Sequence, residues 1–142
     1  MVMDRRWARF QQRLGYSDAE MKAFRTNPKW VKMVEEATGF ARYKIVAEVV
    51  QSHGCMAQHK VGDRIVMDAN GLLMKEECPD RMCVNAVAPL ACTFSAVCER
   101  LADNLDPRGI CFTRVGCTDV GPECGGWGRV IMQIRVEPIE RK

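Results

Sequence analysis

The chain has 142 residues, 47% of them apolar and 27% charged, with a formal net charge of +3. That length and balance suit one folded domain with an added element and exclude a generally disordered chain. No run reaches the roughly 18 apolar residues of a membrane-spanning helix, and the opening Met1-Val-Met-Asp-Arg-Arg-Trp is not expected to act as a secretory signal.

The first third reads as short helices. Trp7, Phe10 and Leu14 share one stripe, with Arg5, Arg6, Arg9 and Arg13 off it, and Gly15 stops the helix. Ser17 with Glu20 forms a capping-box pattern that starts a second helix carrying Met21 and Phe24. Asn27-Pro28 opens a third, with a stripe of Trp30, Val31, Met33, Val34 and Ala37 that ends at Gly39. Residues 1–41 hold 8 Lys+Arg against 5 Asp+Glu, and residues 42–142 hold 13 of each, so the net charge sits in this segment. Neither a dense basic stripe nor a binding motif accompanies it, so no nucleic-acid partner is expected. Its aromatic residues are expected to pack on the rest of the chain or on a partner, a protein or a second copy.

The remainder, 42–142, reads as strands around one helix. Arg42–Val50 is β-branched and partly alternating, a strand that Ser52-His53-Gly54 breaks. Arg64–Met67 is a second strand, and Asn70-Gly71 predicts a hairpin returning along Leu72–Met74. From about Pro79 the period changes: Cys83, Val87, Leu90, Phe94, Val97, Cys98 and Leu101 lie on one helical face, which Pro89 must kink or reset. Asp106–Gly109 is a turn, and Ile110–Val115 and Arg129–Val136 are the last strands. The expected fold class is α+β: a small, mainly antiparallel sheet with one long helix, after an N-terminal helical cap or docking element (1–41).

All eight cysteines fall between positions 55 and 124. Such density marks a disulfide scaffold in a secreted chain and a metal or cluster site in a reducing compartment, and a cytoplasmic location is expected. No Cys-x-x-Cys occurs, which argues against a thioredoxin-type pair, a zinc ribbon and ferredoxin-type cluster binding. Cys55-x3-His59 has a spacing that brings sulfur and imidazole to one ion, and Cys83 heads the long helix, where amides favour thiolate. Cys117 and Cys124 flank a loop that folds back toward them. A site built from Cys55, His59, Cys83 and Cys117 offers three sulfurs and one nitrogen, a set suited to zinc or an iron–sulfur centre, with Cys124 a further cofactor candidate. Cys98 reads as a packed, inert thiol, and Cys111 as packed within its strand. Gly121–Gly128 is glycine-rich but lacks the Lys of a phosphate loop and precedes no helix, so it reads as a flexible or metal-flanking loop.

Three stretches carry a resemblance: Cys55-Met-Ala-Gln-His59-Lys-Val-Gly-Asp63, Met82-Cys83-Val-Asn-Ala-Val-Ala-Pro89-Leu90, and Val115-Gly-Cys117-Thr-Asp119. Together they resemble a small prokaryotic domain family of unassigned function, over about 42–138. The resemblance implies that Pro89 sits within a helical pattern and picks Cys55, His59, Cys83 and Cys117 as the ligand set. This chain departs from the pattern in its Cys-Thr-Asp, where Pro often follows the Cys, and in its extra cysteines.

Three functions are expected to compete. One is a metal- or iron–sulfur-binding small protein, an accessory or small subunit of a larger redox enzyme. Another is an enzyme in its own right, using a metal-activated water or a Cys83 thiolate, with Asp63, Asp119 and Glu123 as acid or base candidates. The third is a disulfide-stabilised structural protein.

Overall fold

The structure is a computed structural model that describes residues 4–140. The outermost residues of both segments, 1–3 and 141–142, lie outside that range.

Three helices open the chain: α1 (Arg5–Leu14), α2 (Asp18–Phe24) and α3 (Pro28–Glu36). Each starts where its cap chemistry dictates. Asp4 accepts the Arg6 amide, Ser17 and Glu20 form a complete capping box, and Asn27 accepts the Lys29 amide ahead of Pro28. Gly15, at φ 69°, ends α1. The aromatic side chains pack chiefly on one another. Trp7 is 4% exposed, meets Phe10 and Phe24 edge-on, and carries the Arg25 guanidinium 4.2 Å above its ring. Trp30 stacks on Phe24 and stays 45% exposed. The helical element therefore holds a small aromatic core of its own, and α3 buries no residue.

The sheet has four strands, all antiparallel, in the order β2-β1-β4-β3: β1 (Tyr43–His53), β2 (Arg64–Asp68), β3 (Arg114–Gly116) and β4 (Arg129–Pro138). Alternation sorts the two faces. Ile45, Ala47 and Val49 align with Ile65 and Met67 on one side and with Met132, Ile134 and Val136 on the other, giving one apolar face. The opposite face carries the ion pairs Lys44–Glu77, Arg64–Glu137 and Arg135–Glu48. Helices α4 (Val84–Val87) and α5 (Leu90–Ala102) cross the apolar face and close the core with Ala86, Leu90, Val97 and Leu101. Pro89 resets the helix rather than bending it, being the residue immediately before α5. Lys29–Glu99 and Lys32–Asp103 join α3 to α5 and its end. The fold is α+β with an antiparallel sheet, as the residue pattern predicts.

Three strand boundaries differ from expectation. β1 continues through His53, because after a bulge at Val50 its end pairs Ser52 with Val130 and His53 with Arg129. The hairpin at Asn70-Gly71 forms its turn, yet residues 72–74 return only one bridge, Met67–Leu73, before a 3-10 turn at Lys75–Glu77. Residues 110–113 form no strand: Cys111 is exposed rather than packed, and Phe112 is 88% exposed.

Beyond that short return, a sulfur completes the β2 edge. Cys78 Sγ accepts the Val66 amide and donates to the Val66 carbonyl, each at 3.2 Å. Cys78→Ala is expected to cost about 1–2 kcal/mol, because it strands a buried amide, while Cys78→Ser recovers part of it. Urea midpoints of the three proteins check this.

Candidate functional site

The loop after β1, the start of α4 and the β3–β4 loop meet at one end of the sheet. There a cavity of about 210 Å³ is lined by Cys55, His59, Cys83 and Cys117, together with Asn85, Asp119, Trp127 and Arg129. Three thiols and one imidazole, from segments up to 62 positions apart, thus share one cavity. The three thiols are half-buried and pack partly on the apolar core.

Hydrogen bonds explain the convergence. His59, 4% exposed, uses Nε2 to accept the Cys83 amide at 3.1 Å. Its Nδ1 stands 3.7 Å from Asp63 Oδ2, beyond hydrogen-bond length. The Ser52 hydroxyl donates to the His59 carbonyl at 2.6 Å. Between α4 and the last loop, Thr118 donates its amide to the Asn85 carbonyl and its hydroxyl to Asn85 Oδ1, at 2.9 and 2.7 Å. Cys117 is fixed by β4: its amide donates to the Val130 carbonyl, and its sulfur accepts the Val130 amide at 3.2 Å. Gly126 and Gly128 of the last loop serve close packing of backbone on backbone. A Cβ on Gly128 would overlap the His53 carbonyl and the Gly54 backbone.

The structure places the remaining candidates elsewhere or in other roles. Cys124 and Glu123 sit in an exposed 3-10 turn (Pro122–Cys124) and do not line the cavity. Asp63 lies behind His59 and accepts the Lys60 amide. Asp119 lines the cavity, but its Oδ1 accepts the amides of Gly121, Trp127 and Gly128, so it shapes the loop. Cys98 is half-buried with its thiol toward the Ala69 carbonyl, and burial pushes that thiol up to about 11.

Sequence reasoning did not single out Asn85, Trp127 or Arg129. Trp127, 67% exposed beside the thiols, had a signal in its place between two glycines next to a cysteine-bearing loop. For Asn85 and Arg129 the chain offers none.

The donor types suit a soft metal ion; their arrangement does not form a ready site. Among the described residues no three His, Cys, Asp or Glu side chains stand in a group able to hold an ion. His59 Nε2 is also committed to the Cys83 amide. All eight cysteines are free thiols. Among the described residues no helix is long and apolar enough to cross a membrane. Compared with protein-family models, curated proteins and solved structures, the chain matches none.

The Asp119 carboxyl is held below its ordinary range, first by the Gly121 amide and then by that of Trp127. A depressed folded value gives a stabilisation that is complete above the ordinary carboxylate range, near pH 4, and is lost as pH falls through the folded value. Acid unfolding of the loop, followed by Trp127 fluorescence in a chain with Trp7 and Trp30 replaced by Phe, is therefore expected in strongly acidic solution. Asp119→Asn should remove that acid transition.

Proposed function

We propose that the protein works through the thiols of this cavity, with Cys83 as the reacting group toward a small thiophilic or electrophilic ligand. The observation that carries this reading is the gathering of Cys55, Cys83 and Cys117 around a space the core leaves unfilled. Cys83 is singled out because buried His59 pins its backbone, whereas the Cys117 sulfur already accepts an amide. A thiolate there bonds to the electrophilic atom while the leaving group departs with its electron pair. His59 acts by position: with Nε2 accepting the Cys83 amide, it is not aligned as a base toward the sulfur. The motif resemblance over 42–138 supports the choice of the same residues.

A second reading keeps a metal ion, zinc or the iron of an iron–sulfur cluster, on Cys55, Cys83 and Cys117, with His59 outside the ligand set. It rests on the same gathering of three thiols and requires them to draw closer together. Such a centre would supply Lewis-acid or electron-transfer chemistry. In either reading we place the protein in a reducing cytoplasm, where free thiols persist. We also propose that a protein partner or second copy meets it at the N-terminal helices, where Leu14 and Trp30 remain exposed.

One experiment separates the readings. Reduced protein is alkylated with iodoacetamide without oxygen, with each site followed by peptide mapping, before and after cobalt(II) titration. The thiol reading expects exposed Cys92, Cys111 and Cys124 to react early, Cys83 to outpace the likewise half-buried Cys55 and Cys117, and Cys98 to react last. Cys83 as slow as Cys98 overturns it. A thiolate-to-cobalt absorption band that protects Cys55, Cys83 and Cys117 together establishes the metal reading instead.

A further inference from the structure

A second and larger groove, of about 640 Å³, lies along α5, between that helix and residues 109–115. Its volume falls within the range of small-molecule sites. Small residues on one face of α5, Cys92 and Ala96, leave the room, and buried Thr93 lies along it. Phe112, 88% exposed, adds an apolar wall that no described residue covers.

The charge at this groove is one-sided. Arg100 and Arg114 both line it. Each spends its Nε on a neutral acceptor: Arg100 on the Asp106 carbonyl at 2.5 Å, Arg114 on Gln133 Oε1 at 3.1 Å. The nearby carboxylate of Asp106 is taken up by Arg108, through contacts of 2.9 and 3.1 Å. No carboxylate of a described residue lines the groove. Two guanidinium groups beside an otherwise apolar trough complement a molecule with a hydrocarbon body and an anionic head.

We propose that this groove binds an amphipathic carboxylate of the medium-chain fatty-acid class. The hydrocarbon lies along Ala96 and Phe112, and the carboxylate meets Arg114 and Arg100. The groove shares no lining residue with the thiol cavity, and nothing in this assignment depends on the chemistry of that cavity.

Calorimetric titration of the full chain with decanoate below its micellar concentration, and in parallel with decanol, tests the proposal. Saturable binding of one decanoate per chain is expected, with decanol bound at least about tenfold more weakly. Arg114→Gln, an exposed change, is expected to weaken decanoate about tenfold, and Ala96→Phe to abolish binding by filling the trough. Bound decanoate should also slow iodoacetamide alkylation of Cys92 and Cys111, which line the groove, and leave Cys124 unaffected. Equal binding of decanol and decanoate, no effect of Arg114→Gln, or association only with phosphatidylglycerol vesicles overturns it. Circular dichroism of Ala96→Phe guards against misfolding, and the cysteine protection stands without that variant.

Discussion

Gly128→Ala is expected to cost more than about 4 kcal/mol, enough to unfold a domain of ordinary stability. The methyl group would meet the His53 carbonyl oxygen and the Gly54 backbone, and neither is a flexible side-chain end that can swing aside. Relief requires parting β1 from β4 at the pair His53–Arg129. That same separation carries Cys55 away from Cys117, so the thiol cavity is lost with the stability. Gly125→Ala is the control. It too lies in the last loop, at φ 89°, with nothing within 4 Å of an added Cβ, so only about 1 kcal/mol of left-handed strain is expected. Thermal unfolding of the two variants should therefore differ widely.

His59→Ala is expected to cost about 2–4 kcal/mol, combining a cavity where the ring was with a stranded Cys83 amide. The effect on the site should exceed the effect on the fold. With its amide released, the segment ahead of α4 gains freedom, and the Cys83 alkylation rate should change while that of Cys98 does not. His59→Gln offers a carbonyl in the acceptor's place and should restore part of both. Denaturant midpoints measure the first effect, and peptide-mapped alkylation the second. Equal alkylation of Cys83 in all three proteins would deny His59 its positioning role.

Much of the fold was legible because local chemistry decides it. Asp4, Ser17 with Glu20, and Asn27-Pro28 cap helices through neighbouring amides, and the alternation in β1 and β4 follows the apolar face. Failures fell where a distant group overrides a local signal. Asn70-Gly71 makes its turn, but the Cys78 sulfur takes the Val66 amide that a longer returning strand would have claimed. The run Ile110–Thr113 has strand-like composition, but the ladder on that side of β4 spans 114–116, with one further bond from the Ile134 amide to the Thr113 carbonyl. At the site, spacing together with the family resemblance chose four residues that do share a cavity. The use of His59 as an acceptor for a backbone amide 24 positions away leaves no mark in the chain. By its place in the chain Asp119 is an acid or base candidate, whereas the loop that follows turns the amides of Gly121, Trp127 and Gly128 onto its oxygen.

The sulfur that seals the outer side of β2 ties the protein's colloidal behaviour to the redox state around it. Once Cys78 is oxidised to a sulfenic or sulfinic acid, the bulkier group no longer fits between the amide and carbonyl of Val66. The Val66 amide is then left open to another extended chain, beside the Met74 amide that still holds the Val66 carbonyl. Self-association under oxidative stress would begin at this half-buried thiol rather than at the exposed Cys92, Cys111 and Cys124.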